Sequence, residues 1–448
     1  MREDDGMDTR NELLTVLRGP QAETLLRQSL RASGMLLRTW ELEQVYARPG
    51  AEVSARYRVQ CAPAERDSAP GGLPGLSELA EPAQLNEPAE LSKPTELTMI
   101  ASTVELSAEQ RAGMGAVRAE SPQGTLHLWV HPVDPELPGL LLVEPDGEKP
   151  AERSAPTELQ VRLSRALGEQ STVQELQMLV LRPLRRAVYR AVVSSRRGQR
   201  VVYLKVVRPS RVAQLLQRHR CSGLIPAIAD AGDGILILDQ APGLPLTEHL
   251  HRACPPAHVH PLNPRVAISA LETLRPEALD LPARVPPAHR LAGLAESAIA
   301  VGADRRRVQQ LCAGIEAALR QPPGPLVPTH GDFHPANLFL DAAAEHPSAL
   351  IDADTVGPGH RVDDLATMLG HLFALPSFDA EGYAGVPDFA GRFHAACLPD
   401  TDPDDLHART AAVLLSLLPG SRSPAQQRHY LRCAEGLLRG LTPGDLLR

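Results

Sequence analysis

Lysine is nearly absent from this 448-residue sequence. Lysine and arginine together number 46, yet the only lysines are Lys93, Lys149 and Lys205. Arginine does not replace lysine where a compact point charge must meet phosphate oxygens. Lys93 and Lys149 lie in low-complexity and loop sequence, whereas Lys205 lies inside VVYLKVV (201–207), an apolar run that is typical of a half-buried strand. Lys205 is therefore either a functional cation or a side chain that snorkels from a strand edge.

Other absences limit the class of protein. The first ten residues, MREDDGMDTR, have no apolar run behind them, so we expect no signal peptide. The longest apolar stretches, such as AAVLLSLL (411–418), are too short to cross a bilayer. Six scattered cysteines without a CxxC pattern indicate a reduced, cytoplasmic protein. A net charge of −8 and few aromatic residues argue against nucleic acid or an anionic membrane as a partner.

The N-terminal part, residues 1–165, is predicted to be an α+β domain. Helical patterning covers 9–33, a hairpin is expected over 45–59, and strands are expected at 97–106 and 125–133. Residues 62–96 leave globular composition and contain a six-residue repeat with Pro82, Pro88 and Pro94 in register. Prolines at that spacing exclude a regular helix or a central strand, so the segment is predicted to be a disordered insert. A linker is expected over 145–156.

The remaining sequence predicts a β-rich lobe over 170–241 and a helical lobe over 242–448, which is an α+β pattern. Helices are expected at 264–274, 289–301, 304–320, 363–375, 404–418 and 424–440. Arg48-Pro49 and Arg56 have the same spacing as Arg182-Pro183 and Arg190. The first part of the chain is thus a candidate degenerate copy of the β-rich lobe, with Ser102 or a neighbour in the place of Lys205.

The stretch PTHGDFHPANLFL (328–340) concentrates polar groups just before an apolar run. A second apolar run, ALID (349–352), follows an eight-residue loop, so a hairpin is predicted. Pairing the apolar residues places Leu338 opposite Ile351 and Asn337 opposite Asp352. Directly opposed residues share a face, with Cβ atoms about 5 Å apart. An amide oxygen and a carboxylate would then meet, as in sites that hold Mg²⁺ together with substrate phosphates.

Two further carboxylates belong to this predicted site. Asp354 would share the face of Asp352 if the strand continues, and would reach a second ion. Asp332, five residues before Asn337, would accept a hydrogen bond from an attacking hydroxyl. A carboxylate of normal pKa is a weak base, but it suffices in a loose phosphoryl-transfer transition state because the proton leaves late. Lys205 would supply the cation for the nucleotide phosphates.

HGDFHPAN (330–337), ID-x-D (351–354), Asp364 in DDLA, Lys205 and the segment ILILDQAPG together resemble the aminoglycoside phosphotransferase/choline kinase family, which has a two-lobed protein-kinase-like fold. The resemblance covers about 175–445. It implies ATP and Mg²⁺ as cofactors and a small hydroxylated substrate. It further implies Asp332 as the catalytic base, Lys205 on the α/β-phosphates and backbone near Gln240–Ala241 at adenine. Asn337 and Asp352 are the implied Mg²⁺ ligands. Asp364 is implied to brace the catalytic loop, and His330 is expected to be structural.

The sequence also departs from this family. No glutamate lies between 206 and 238 to pair with Lys205; Gln214 or Gln217 occupies that stretch. The nucleotide loop, RPLRRAVYR, has no glycine. The prediction is an ATP- and Mg²⁺-dependent small-molecule kinase that transfers the γ-phosphoryl group to a substrate hydroxyl. The alternative is a catalytically silent kinase-like module that binds a nucleotide or a partner.

Overall fold

A computed structural model describes residues 12–47, 52–63, 95–144, 157–251, 261–320 and 323–447. The chain forms two compact units. The first comprises Met1–Gly147 with Leu181–Arg186, and the second Glu148–Val180 with Ala187–Arg448. The predicted insert 62–96 lies outside the described residues except at its ends, which belong to strands. The predicted linker 145–156 also lies outside them.

The first unit contains one antiparallel sheet with the strand order β1-β2-β3-β5-β4. Tyr57 and Val59 of the sheet pack against Leu26 and Leu30 of a helix in one apolar cluster. The hairpin predicted over 45–59 is confirmed, since Ala47 pairs with Val53. The elements are residues 12–18 (α1), α2 (Gln21–Ala32), β1 (Met35–Ala47), β2 (Val53–Pro63), β3 (Thr95–Ser102), α3 (Ala108–Met114), β4 (Val117–Ser121), β5 (Gly124–Val130) and α4 (Leu140–Val143).

The second unit begins with a similar sheet, whose strand order is β6-β7-β8-β10-β9. Lys205 lies in its third strand and pairs with Leu236 of the neighbouring strand. The elements are α5 (Glu158–Leu167), β6 (Thr172–Arg182), β7 (Arg186–Ser195), β8 (Gly198–Val207), α6 (Val212–His219), β9 (Ile228–Gly232) and β10 (Ile235–Asp239).

The two sheets repeat one topology. In each, a helix precedes three strands, a second helix follows the third strand, and the last strand lies beside that third strand. This is the arrangement expected if the first part of the chain is a degenerate copy of the β-rich lobe. The first sheet has no lysine or arginine in β3, where Ser102 is buried and its Oγ lies 2.8 Å from Ser54 Oγ.

Residues Leu181–Arg186, which comprise the end of β6, a turn and the first residue of β7, belong to the first unit. Leu184 has a φ of 64°, and its backbone N–H donates to Asp134 Oδ2 at 2.9 Å. The Leu184 side chain is buried with Ile100 and Trp129. A buried carboxylate and an apolar pocket thus fix this turn in a left-handed conformation without a glycine.

The rest of the second unit is largely helical. All six predicted helices are present, with ends within two residues of those predicted. The centre of this core is a pair of helices, α11 and α13, most of whose residues are buried. Among the described residues of the second unit, four α-helices had not been predicted: α5, α7, α12 and α15. The elements are α7 (Leu246–Leu250), α8 (Pro264–Glu272), α9 (Leu291–Ala300), α10 (Arg305–Ala318), α11 (Arg361–Ala374), α12 (Val386–Cys397), α13 (Pro403–Leu417), α14 (Pro424–Leu438) and α15 (Pro443–Leu447).

Two small sheets carry the polar loops of this core. One has the order β11-β13-β14, with β11 (Leu244–Pro245), β13 (Leu338–Leu340) and β14 (Pro347–Leu350). The other pairs β12 (Leu326–Thr329) with β15 (Gly357–His360). Gly243, just before β11, has a φ of 83°, and a Cβ there would lie 2.1 Å from the Leu340 carbonyl oxygen. Only glycine therefore allows the chain to pass so close to β13.

Candidate active site

Asp364 fixes the loop that connects β12 to β13. It lies in the first turn of α11, is fully buried, and accepts hydrogen bonds from the backbone N–H groups of His330 and Gly331, both at 2.8 Å. Burial raises the pKa of Asp364 to about 6, against the lowering effect of these two bonds. Gly331 has a φ of 76°, and a Cβ there would lie 2.8 Å from the Thr355 carbonyl oxygen. The carboxylate and the glycine together hold the loop against the residues that follow β14.

His330 has a structural environment. Its ring is fully buried, and Nε2 lies 3.1 Å from the carbonyl oxygen of Ile351, so Nε2 carries the proton and donates. Burial lowers the pKa of His330 to about 4, which keeps the ring neutral near pH 7. His330 therefore links the loop after β12 to the end of β14, as a structural role requires.

Asn337 and Asp332 lie at the two ends of one short turn. Asn337 is buried, and its Nδ2 donates to the backbone oxygen of Asp332 at 2.9 Å. With the nitrogen engaged, the amide oxygen is the atom of this side chain that a cation would bind. The Asp332 carboxylate keeps about a third of its surface exposed, with a side-chain accessibility of 32%. Asp332 thus presents a carboxylate to solvent from a fixed backbone.

The predicted register of the hairpin is wrong by one residue. Leu338 pairs with Leu350 and Phe339 with Ala349, and the Ile351 N–H donates to Asn337 O at 2.9 Å. Asn337 therefore lies opposite Ile351 rather than Asp352. Strands of three and four residues contain too few alternating positions to fix a register from sequence. Leu340 also pairs with Pro347 across an irregularity, which the even pairing had not allowed for.

The backbone after β14 turns Asp352 back toward the site. Asp352 has a φ of 54° and a ψ of 50°, and the strand does not continue; residues Ala353–Thr355 form a 3₁₀ turn. The assumption that Asp354 shares a strand face with Asp352 is therefore wrong. Both carboxylates nevertheless reach Lys205, whose Nζ lies 3.3 Å from Asp352 Oδ1 and 2.5 Å from Asp354 Oδ1. A left-handed residue at a functional position is a strained conformation that the surrounding structure must hold in place.

Lys205 is buried, with 6% of its surface exposed. A buried ammonium needs an anionic partner, and two carboxylates supply it here in place of the helix glutamate that the sequence lacks. The same two carboxylates are of the chemical type that binds a divalent cation. Within the described ranges no group of three or more His, Cys, Asp or Glu side chains is arranged to hold a metal. The donor set suits Mg²⁺ because Mg²⁺ uses few protein ligands and completes its shell with waters and phosphate oxygens.

Arg218 on α6 is a residue that sequence reasoning missed. It is buried, and its guanidinium donates to the carbonyl oxygens of Val356 and, at 3.0 Å, Pro282. Burial and then the charge of Arg211 lower the pKa of Arg218. The helix without a glutamate is thus attached to the segment after Asp354 by an arginine. No signal in the sequence distinguishes this arginine from its many neighbours.

Arg284 was also missed. Its Nη1 lies 3.1 Å from Asp332 Oδ1, and its side chain is 31% exposed.

Gln240 and Ala241, predicted at adenine, directly follow β10, the strand paired with the strand of Lys205. The structure therefore brings Lys205, Asp352 and Asp354 into direct contact and joins Asn337 to Asp332. It adds two arginines that the motif did not include.

Residues 202–418 match the model of the phosphotransferase enzyme family. The predicted resemblance is thereby confirmed for this part of the chain, which contains every candidate site residue. Comparison with curated protein sequences gives no match.

Solved structures with low sequence identity are similar to the chain. A thermostable mutant of an aminoglycoside phosphotransferase, in complex with ADP and hygromycin B, is 16% identical over 63% of this chain and 98% of its own, with a TM-score of 0.43. A choline/ethanolamine kinase family protein from Mesorhizobium loti is 15% identical over 61% and 90%, with a TM-score of 0.38. The choline kinase LicA from Streptococcus pneumoniae is 13% identical over 63% and 98%, with a TM-score of 0.41.

None of the helices described is long and apolar enough to span a bilayer.

Proposed function

We propose that this protein is an ATP- and Mg²⁺-dependent small-molecule kinase that transfers the γ-phosphoryl group to a substrate hydroxyl. One observation carries the proposal. A buried lysine on β8, two carboxylates after β14, and a loop with an exposed carboxylate and a buried amide converge within one unit of the chain. Phosphoryl transfer requires such parts, because its catalysis is mainly positioning and charge stabilisation.

Each side chain has a role in this proposal. Lys205 would bind the α/β-phosphate oxygens of the nucleotide, as a compact point charge does well. Asn337 and Asp352 would hold Mg²⁺, and Asp354 a second ion; the metal supplies neutralisation of the charge on the phosphate oxygens. The backbone around Gln240 and Ala241 would contact adenine.

Asp332 would accept a hydrogen bond from the acceptor hydroxyl and orient it toward the phosphorus atom. The hydroxyl oxygen forms a bond to phosphorus, the bond to the β–γ bridging oxygen breaks, and ADP leaves with that electron pair. Asp332 takes the proton late, after most of the bond to the leaving group has broken. The bond from Asn337 Nδ2 to the Asp332 backbone fixes the distance between the base and the metal ligand.

A catalytically silent module that binds a nucleotide or a partner is the second candidate. The contacts of Lys205 favour it, because the ammonium is engaged with Asp352 and Asp354 and no glutamate on α6 competes for it. In an active enzyme, the nucleotide phosphates would have to replace the carboxylates as partners of Lys205. Mg²⁺ would have to replace Lys205 as the partner of the carboxylates. Nucleotide binding without turnover would identify the silent module.

The deciding experiment measures ADP release by the purified full-length chain with Mg·ATP and a panel of sugars, amino alcohols, hydroxy acids and aminoglycosides. Acceptor-dependent ADP release that Asp332→Asn abolishes would support the kinase. Tight Mg·ATP binding by calorimetry, with no ADP release for any acceptor, would favour the silent module. Absence of nucleotide binding would exclude the kinase and leave only a module that binds a partner.

The same proposal includes the cytoplasm as the location. Cys61, Cys221, Cys312, Cys397 and Cys433 are free thiols in the structure, four of them buried. A cell compartment that keeps thiols reduced suits this pattern.

A further inference from the structure

The segment that carries Arg284 is held in place by contacts outside the catalytic loop. It lies between the 3₁₀ turn Pro276–Asp280 and α9. Arg218 donates to the carbonyl oxygen of Pro282, two residues before Arg284. The same guanidinium donates to Val356, beyond the metal-ligand candidates. The backbone two residues before Arg284 is therefore joined by a buried arginine to the segment after Asp354.

Arg284 uses only part of its hydrogen-bonding capacity. A guanidinium has five N–H donors in a planar fork, and here one nitrogen contacts Asp332 Oδ1 at 3.1 Å. Among the residues described, no second acceptor for this guanidinium is found. About a third of the side chain is open to solvent. The remaining donors are therefore accessible to a ligand that sits on Asp332.

Apart from Asp332, the described groups that respond to the charge of Arg284 are two histidines and one arginine. The rings of His334 and His371 stack with centroids 4.4 Å apart. The pKa of His371 is lowered to about 3, first by burial and then by the charges of His334 and Arg284. The pKa of the mostly exposed Arg290 is lowered by partial burial of its head group and then by Arg284. Asp332 thus lies beside Arg284 and His334, and the charge of Asp352 also reaches His334.

We propose that Arg284 binds an anionic group, a carboxylate or phosphate, of the acceptor substrate, so that the protein phosphorylates small hydroxylated acids. Arg284 occupies one oxygen of Asp332 and leaves the other for the acceptor hydroxyl. One ligand can then place its hydroxyl on Asp332 and its anion on the outer edge of the same guanidinium. Bidentate recognition of carboxylate and phosphate is the geometry for which arginine is suited.

The arrangement also disfavours cationic acceptors. An ammonium group on Asp332 would lie beside the Arg284 guanidinium, and the two like charges would share one counter-ion, which weakens the binding of the ammonium. An anion, in contrast, would draw Arg284 away from Asp332 in part and leave the carboxylate a better acceptor for the hydroxyl proton. The positive charge of Arg284 would therefore both disfavour amines and bind acids.

The test uses acceptors of one size and three charges: glycerate, its neutral amide, and 3-amino-1,2-propanediol. Glycerol 3-phosphate and glycerol form a second pair, which separates phosphate from carboxylate recognition. Binding to the full-length chain with Mg·ADP is measured by calorimetry, and ADP release from Mg·ATP is measured in parallel. This inference rests on the proposed kinase activity, but the binding measurement does not require turnover.

We expect at least one acid to bind, and its affinity to exceed that of its uncharged counterpart by roughly 10- to 100-fold, the effect of one charge-assisted hydrogen bond. Arg284→Gln should abolish this preference and leave the affinity for Mg·ATP within twofold. Arg284→Lys keeps the charge without the fork and should retain part of the preference. Arg306→Gln, a change of an exposed arginine on α10, should have no effect.

The failures are distinguishable. If the neutral or amine acceptors bind and react as well as the acids, or if no acid binds, the inference is overturned and the kinase assignment stands on its own assay. If acids bind through Arg284 but no acceptor is phosphorylated, the anion site is retained and the proposed function fails. If Arg284→Gln lowers kcat equally for all acceptors without changing their relative affinities, Arg284 only positions Asp332, and the inference is overturned.

Discussion

Lys205 Nζ lies 2.5 Å from Asp354 Oδ1, and this contact joins a strand of the first sheet in the second unit to the turn after β14. Asp352 completes the group at 3.3 Å. The lysine is buried while both carboxylates are partly exposed. The three side chains therefore form an ion group whose carboxylates remain partly exposed. In the proposed kinase, a cation would bind the carboxylates and the nucleotide phosphates would bind the ammonium.

Replacement of Lys205 by methionine should increase the stabilisation by Mg²⁺ and weaken the binding of the nucleotide. Without the ammonium, Asp352 and Asp354 repel each other, so the melting temperature in EDTA should fall and Mg²⁺ should raise it more than it does in the native protein. The affinity for Mg·ATP, measured by calorimetry, should fall at least about tenfold.

The matched control is Arg200→Met, at the exposed start of the same strand. It should change neither quantity by more than twofold. Undiminished nucleotide affinity in Lys205→Met would remove this lysine from the phosphate site.

Asp364→Asn should destabilise the catalytic loop. The carboxylate accepts hydrogen bonds from two backbone N–H groups with two different oxygens, and an asparagine can accept only one of them. One buried N–H then loses its partner, which costs about 1–3 kcal/mol. Urea unfolding of the variant should show this loss, and turnover should fall with it. Asp388→Asn, in the exposed first turn of α12, should stay within about 0.5 kcal/mol of the native protein.

These contacts show what the sequence could predict. The motif located Asp364, Asn337 and Lys205 because each residue type is unusual in its surroundings: a carboxylate before an apolar helix, an amide before a strand, a lysine in an arginine-rich chain. The helices were predictable because long apolar periodicity dominates their formation. The sequence indicated the repeated sheet order only through one shared spacing of arginine and proline residues.

The remainder depends on tertiary contacts. Arg218 and Arg284 are two arginines among dozens, and only the folded chain brings them to Pro282 and Asp332. The hairpin register failed because its strands are short and its loop contains an irregularity. Aspartate tolerates the left-handed conformation that restores the Asp352 carboxylate to the site, but the presence of an aspartate does not by itself predict that conformation.

Acid should destabilise the protein through its buried histidines. Burial lowers the pKa of His330 and His394 to about 4 and that of His371 to about 3. The unfolded chain protonates these histidines below about pH 6.5, whereas the folded chain keeps them neutral. The free energy of unfolding should therefore fall as the pH falls from about 6.5 toward 4. Asp364 opposes this trend, because its raised pKa of about 6 means that the folded state binds its proton first.

Three histidines lower the stability on acidification and one carboxyl raises it. The free energy of unfolding should therefore fall by roughly a few kcal/mol between pH 7 and pH 5. Urea titrations at those two pH values check this. His394→Gln keeps a hydrogen-bond partner for His407, whose Nε2 lies 2.9 Å from that of His394, and should reduce the loss. His346→Gln, in an exposed loop, should leave it unchanged. A stability that rises on acidification would contradict the proposed protonation states.

The last prediction separates the metal ligands from the base. Asn337→Ala and Asp352→Asn each remove a candidate Mg²⁺ ligand, so the Mg²⁺ concentration for half-maximal turnover should rise at least about tenfold. Asp332→Asn should bind Mg·ATP within twofold of the native affinity, because this side chain contacts the acceptor. Its kcat should fall by about 10²–10⁴, the usual loss on removal of a general base.

The structure makes this comparison sharp, because Asn337 is joined to the backbone of Asp332 and not to its carboxylate. Asp332→Asn therefore leaves the Asn337 contact intact. Asp341→Asn, in the exposed loop between β13 and β14, serves as the control and should alter neither parameter. Asp352 reaches Lys205 only through a left-handed backbone and not through strand pairing. If Asp352→Asn folds and keeps an unaltered Mg²⁺ titration, that backbone turns the carboxylate toward the lysine alone, and Asp352 is not a metal ligand.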